Sequence, residues 1–335
     1  MRIGLIDVDS HNFPNLPLMK ISAWHKQQGD TVEWWTPEGG QYDKVYASKV
    51  FSESKLPVIC NATEVQIGGS GIDLKNKLPF EIEHSTPDYS LYPQHKFALG
   101  CLTRGCPRKN HGFCITPEKD GCVSVKTTDL SEFWTGQKEI YLLDQNILAC
   151  KDRIDLLNQL ADSGAVVDFG GGPDARFMTD EVIEVMHRIK VKDFHFAWDD
   201  PREDLFPQFL KIATSGLKTT KRVGIGVYVL TNYWSTHEED LARCYKLRIL
   251  GFNPYVMIYD KQKFVDSHGK LLPDVWDRYT PDQIYHFKLC QHLQRWTTAR
   301  RIWGMCPTIE QYHWYTNFIE KWPEILKKHT KEETP

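Results

Sequence analysis

No apolar run in this 335-residue chain approaches the ~18 residues that a membrane-spanning helix needs. That excludes helical membrane spans. The start Met-Arg-Ile-Gly-Leu-Ile-Asp-Val-Asp is too short and too quickly acidic for a secretory h-region, and it reads as a strand. Charge of one sign is also missing. With 41 Lys and Arg against 44 Asp and Glu, the formal net charge is −3, so no whole-protein field draws the chain to nucleic acid or to an acidic membrane. What remains is ordinary globular composition, 41% hydrophobic and 25% charged, with room for about two domains. Cysteine is not scarce. Nine of them, an odd number, suit a reducing cytoplasm better than a disulfide framework, so clustered thiols read as metal or redox chemistry.

Hydrophobic patterning divides the chain into a small α/β layer and a longer series of βα units. Arg2–Val8, Thr31–Trp35, Lys44–Val50 and Val65–Gly68 are predicted strands, and Asn15–Gln28 an amphipathic helix. Residues 1–93 therefore read as a small doubly wound parallel-sheet domain. The proline-containing stretch from Leu78 to Gln94 reads as a linker. Beyond it, Phe97–Thr103, Glu139–Leu143, Ala165–Phe169, Asp193–Trp198, Val223–Leu230 and Tyr255–Tyr259 are strand-like. After the first interval their ends lie 26 to 32 residues apart, which is the length of a βαβ unit. Ile154–Ser163, Asp180–Ile189 and Glu238–Leu250 carry helical spacing, with Thr179 and Thr236 as caps. The fold class expected is α/β, with a partial (β/α)6 TIM-like barrel over residues 94–270 and a helical extension over 271–335.

Polar groups follow most of these strands: Asp144-Gln145-Asn146, Gly170-Gly171-Gly172 with Asp174 and Arg176, Asp199-Asp200, Thr231-Asn232 and Asp260-Lys261. Parallel α/β folds place their chemistry at such ends, although Asp, Asn and Thr also cap helices there. The densest signal is Gly100-Cys101-Leu102-Thr103-Arg104-Gly105-Cys106-Pro107-Arg108-Lys109-Asn110-His111-Gly112-Phe113-Cys114, with Cys122 eight residues further on. Thiolates gathered on a glycine-containing loop are soft ligands, and neighbouring Arg and Lys favour the deprotonated state they require.

The cysteine loop, placed after the first strand of a six-unit barrel, resembles the radical S-adenosylmethionine enzymes. The resemblance is closest to bacterial and phage members that carry an N-terminal cobalamin-binding-type, flavodoxin-like domain. It implies a 4Fe–4S cluster on three thiolates, S-adenosylmethionine on the open iron, and a small flavodoxin- or ferredoxin-type electron donor. Cys106 and Cys114 match the ends of the family loop. Asn110 stands where the second cysteine is expected, so the third ligand is taken as Cys122, with Cys101 or His111 as alternatives. Gln145, Asn146, Asp174, Arg176 and Asn232 are the residues taken to hold S-adenosylmethionine. In the N-terminal domain Asp9 and His11 match a cobalt-ligating motif, but Pro14 replaces its glycine, so the domain is expected to lack corrinoid.

Two other readings stay open. Cys106, Cys114, Cys122 and His111 could close a tetrahedral zinc site in a protein without radical chemistry. Lys288, Arg295, Arg300 and Arg301, interleaved with Trp296 and Trp303, could mark an enzyme that modifies RNA, although the near-neutral charge favours an amphipathic helix with a solvated basic face and packed tryptophans. The substrate is not legible.

Overall fold

A computed structural model describes residues 1–108, 112–193, 195–220 and 224–329. The fold is α/β with mostly parallel sheets. The chain divides into two compact units, one of residues 1–173 and 180–192, the other of 174–179 and 193–335. This division cuts across the boundaries near residues 93 and 270 that the patterning suggested.

In the first unit, β1 (Arg2–Asp7), β2 (Thr31–Trp34), β3 (Tyr42–Ser48) and β4 (Ala62–Gly68) form a parallel sheet in the order β2-β1-β3-β4. Only one connection between these strands is helical, α1 (Leu16–Gln27), which Asn15 caps by accepting from the Leu18 amide at 3.3 Å. On one face Ile3 and Leu5 pack with Leu18, Ile21 and Ile82; on the other, Ile6, Val45 and Ala47 are covered by Trp35, Leu56 and Ile59. A folded-over loop therefore does the covering that a second layer of helices does in a doubly wound sheet. The amphipathic reading of α1 also needs correction. Leu18 and Ile21 face the first sheet while Leu16 and Met19 pack with Leu99 and Tyr92, so the helix is buried on two sides.

The stretch read as a linker is a packed strap holding α2 (Phe80–Glu83). Glu83 binds Lys20 and Arg104, Asp88 binds Ser22 and Lys26, and the Tyr89 hydroxyl donates to Phe133 O. Prolines mark the turns of this strap; its polar anchors, not its composition, decide that it is ordered.

The second sheet of this unit has the order β10-β9-β8-β5, from β5 (Phe97–Gly100), β8 (Glu139–Leu142), β9 (Val166–Phe169) and β10 (Lys190–Asp193). Strands β5, β8 and β9 are parallel. Between β5 and β8 lie the short antiparallel hairpin β6 (Thr103–Arg104) and β7 (Val125–Lys126), with α3 (Thr116–Asp120) inside it. Helices α4 (Arg153–Ser163) and α5 (Asp180–Met186) flank the sheet.

In the second unit β11 (His195–Ala197), β12 (Gly226–Thr231) and β13 (Asn253–Ile258) form a parallel sheet. Of the strand expected over 193–198, Asp193 ends β10 and His195–Ala197 form β11, and residue 194 between them lies outside the described residues. The helices are α6 (Phe206–Thr214), α7 (His237–Ile249), α8 (Val275–Arg278), α9 (Pro281–Thr298), α10 (Arg300–Met305) and α11 (His313–His329). Thr236 caps α7 in a reciprocal pair with Glu239, and Thr280 caps α9 likewise with Gln283. On α9, Ile284, Phe287, Cys290, Leu293 and Trp296 are buried at helical spacing. Among the described residues no helix is long and apolar enough to cross a membrane.

Candidate functional site

The cysteine loop leaves the carboxyl end of β5 and is closed at its neck by the β6–β7 hairpin. Cys106 N donates to Gly121 O at 3.2 Å, so the backbones of Cys106 and of the 121–123 segment run side by side. Gly105, at φ +90°, makes this approach possible: a Cβ there would lie 2.1 Å from Val123 O. Cys106 and Cys122 are half-buried at the neck, and Cys114 is exposed just before α3. His111 lies outside the described residues. Among the described residues, no group of three His, Cys, Asp or Glu ligand atoms within 4.8 Å of one another includes a loop cysteine.

What holds the neck is the tripeptide after β8. Asp144 is buried, and its carboxylate accepts from Leu102 N at 3.0 Å, Thr103 N at 2.5 Å and Thr103 Oγ1 at 2.6 Å. Burial pushes its pKa up to about 6 in spite of these hydrogen bonds. Gln145 accepts from Gly105 N at 3.3 Å and donates to Asp120 at 3.0 Å, linking the two sides of the loop. The Asn146 side-chain amide donates to Cys106 Sγ at 3.5 Å, and the Asn146 backbone carbonyl accepts from Ser124 Oγ at 2.8 Å. Gln145 and Asn146, expected to hold a cofactor, are thus engaged with the cysteine loop itself. The Gly170-Gly171-Gly172 turn is likewise engaged by protein: a Cβ on Gly171 would lie 1.8 Å from Asp144 O, and one on Gly170 would meet the Tyr141 ring at 2.4 Å.

Cys101 is set apart from the others. It is buried, burial and the nearby Asp144 push its thiol up to about 12, and its carbonyl accepts from Thr128 Oγ1. It lines a cavity of about 10 Å³ beside Lys20 and Glu83, room for one water at most. The basic environment expected around the loop is largely neutralised as well. Arg104 pairs with Glu83 at 3.0 Å and Asp120 at 3.6 Å, and Lys77 with Asp120 at 3.0 Å.

The other three residues expected to bind cofactor belong to the second unit, so neither unit by itself gathers all five. Asp174 accepts from Arg176 N and pairs with the Arg176 guanidinium at 2.9 Å, which also reaches Glu203 at 2.5 Å. Asn232 adopts φ +60° and donates to Tyr259 O at 3.0 Å, tying the ends of β12 and β13. These are contacts that shape strand ends. Trp296 is buried, and Arg248 stacks over one face of the half-buried Trp303 at 4.0 Å. In the N-terminal sheet, Asp9 accepts from Val50 N and Phe51 N at 2.8 and 2.9 Å, while exposed His11 and Asn12 form a left-handed turn.

One grouping was not anticipated. Asp240, His286 and Cys290 bring ligand atoms within 4.8 Å of one another in the second unit. The i, i+4 spacing of His286 and Cys290 was the available signal. Asp240 is already paired with buried Arg243, and burial raises the Cys290 thiol far above its ordinary range, so the group reads as a satisfied polar core. Comparison with protein-family models, curated proteins and solved structures gave no match to this chain.

Proposed function

We propose that this chain is a radical S-adenosylmethionine-type iron–sulfur enzyme acting on an unidentified substrate. The supporting observation is the clamp formed by Asp144, Gln145 and Asn146 at the carboxyl end of β8. It fixes the neck of a three-cysteine loop at the edge of a parallel sheet. The donor set suits the group in kind, since three thiols on one loop are soft ligands and leave one iron of a cubane cluster without a protein ligand. In this reading Cys106, Cys114 and Cys122 hold a 4Fe–4S cluster, and β5, β8 and β9 supply three strands of a partial (β/α)6 barrel. The chemistry supplied there is one-electron reductive cleavage of S-adenosylmethionine to a 5′-deoxyadenosyl radical, with the electron from a small flavodoxin- or ferredoxin-type donor. The chain's own contributions are positional. Asp144 orients the amides of Leu102 and Thr103, Gln145 ties the two sides of the neck, and the Asn146 amide directs an N–H at the Cys106 sulfur. In this reading Cys101, which is buried, is not a ligand.

Anaerobic reconstitution of the full chain, followed by iron and sulfide analysis, tests this. About four iron and four sulfide per chain are expected, lost in Cys106→Ala, Cys114→Ala and Cys122→Ala and kept in Cys101→Ala. One zinc per chain without sulfide would replace the proposal with a closed structural site.

A further inference from the structure

A cavity of about 500 Å³ in the second unit lies along one face of α9 and falls in the size range of small-molecule sites. Lys288, Gln291, His292, Arg295 and Thr298 follow one another at helical spacing on the side of α9 away from the buried Phe287, Cys290 and Leu293. Lys261 and His268 add further nitrogens from the segment after β13, and no carboxylate lines the cavity. In a chain with 44 acidic residues, that is a selective arrangement.

The cations are held but not neutralised. Lys288 Nζ donates to Gln291 Oε1 at 2.7 Å and Lys261 Nζ to Gln294 Oε1 at 2.9 Å, both neutral acceptors. The glutamines are themselves fixed by donating to Gly269 O and Val256 O, at 3.3 and 2.7 Å. Lys261, Lys288 and Arg295 form no ion pair among the described residues. Burial lowers the Lys288 pKa, and burial together with Lys288 and Arg295 pushes His292 to about 4. An anion in the cavity opposes these shifts, because it favours the charged form of each group. At the same cavity Trp314 is 63% exposed and Tyr255 48%, leaving aromatic faces open to a planar ring.

We propose that this cavity binds a nucleoside phosphate, its phosphate on Lys288 and Arg295 and its base against Trp314 or Tyr255. The shape favours one small ligand over a polynucleotide track, because the neighbouring Trp296 is buried and Arg248 covers one face of Trp303. This site is separate from the cysteine loop and does not depend on the iron–sulfur reading.

Calorimetric titration of the full chain at low salt with ADP, inorganic phosphate, adenosine and a short oligoribonucleotide is the test. ADP should bind, adenosine should not, and Lys288→Gln and Arg295→Gln should each weaken ADP by about tenfold or more. Trp314→Ala should weaken ADP while leaving inorganic phosphate unchanged. Arg295 is exposed on the helix, so Arg295→Gln keeps the test valid if Lys288→Gln misfolds. The proposal is overturned by absence of ADP binding at millimolar concentration, by ADP affinity unchanged in folded Arg295→Gln, or by an oligoribonucleotide that binds where ADP does not.

Discussion

Asp144 and Asp240 are both carboxylates sealed from water, and burial pushes both up to about 6, yet the two units satisfy them in opposite ways. Asp144 in the first unit receives two backbone amides and a hydroxyl, all neutral donors from the adjacent turn. Asp240 in the second unit is matched by a full charge, the Arg243 guanidinium one helical turn along α7. That arginine goes further. It donates to Trp198 O at 2.6 Å, Asp199 O at 2.9 Å and Leu230 O at 2.9 Å, fastening the carboxyl ends of β11 and β12 to the helix. A buried carboxylate met by neutral donors orders a loop locally; one met by a buried cation makes two strands and a helix depend on each other.

The contrast breaks most visibly at Arg243. Arg243→Met takes away the counter-charge of Asp240, whose buried carboxyl must then take up a proton or remain uncompensated, and strips three carbonyls of their donor. Chemical denaturation should show a loss of about 3–5 kcal/mol. Arg243→Met combined with Asp240→Leu should recover much of it, because the unpaired charge goes too. A loss under about 1 kcal/mol in the single variant would mean that the guanidinium is not what holds these strand ends.

Removing Asp144 should cost less and act elsewhere. Asp144→Ala leaves three donors near Leu102 and Thr103 without their acceptor, a loss of about 2–3 kcal/mol. The same variant should lower the iron retained after reconstitution, since the neck of the cysteine loop loses its anchor. Its pH signature has a definite sign. A carboxylate whose folded pKa lies above its unfolded one stabilises the fold below the unfolded value, and loses that contribution as pH rises through the folded value near 6. Wild type should therefore lose about 2–3 kcal/mol relative to Asp144→Asn between pH 4 and pH 7. A flat difference across that window would show that the hydrogen bonds offset burial in full, and a gain would show that they outweigh it.

The same two regions show what patterning can carry. The helix over 153–163, the Thr236 cap and the parallel strands β8, β9, β12 and β13 were all legible, because periodicity and capping are local. So was the position of the cysteine loop directly after β5. The strand β10 over Lys190–Asp193 was not, since tertiary contacts decide whether so short a segment pairs. The roles of Gln145, Asn146 and Gly171 were also out of reach. Polar groups and glycines at strand ends look alike in sequence whether they meet a ligand or their own chain, and here they meet Gly105, Cys106 and Asp144 O. The α9 cavity escaped for a similar reason. Lys288 and Arg295 were visible as a basic face, but Tyr255 and Lys261, which help to close the cavity around them, come from a segment some thirty residues earlier.

His237, at the start of α7, gives the smallest effect and the opposite sign. It is buried, its Nε2 lies 2.9 Å from the Tyr315 hydroxyl, its Nδ1 has no partner among the described residues, and burial with the nearby His286 lowers its pKa to about 4. The folded state holds the ring neutral while the unfolded chain protonates it near 6.5, so its contribution is complete above that value and is lost as pH falls toward 4. Between pH 7.5 and pH 5 wild type should lose about 1–2 kcal/mol relative to His237→Gln, whose amide keeps a polar partner for Tyr315. Acid therefore works in favour of Asp144 and against His237. Measuring both variants over one pH series separates the two, because a general acid sensitivity of the fold cancels in each difference from wild type. Curves of the same slope for Asp144→Asn and His237→Gln would contradict the contrast between the two units.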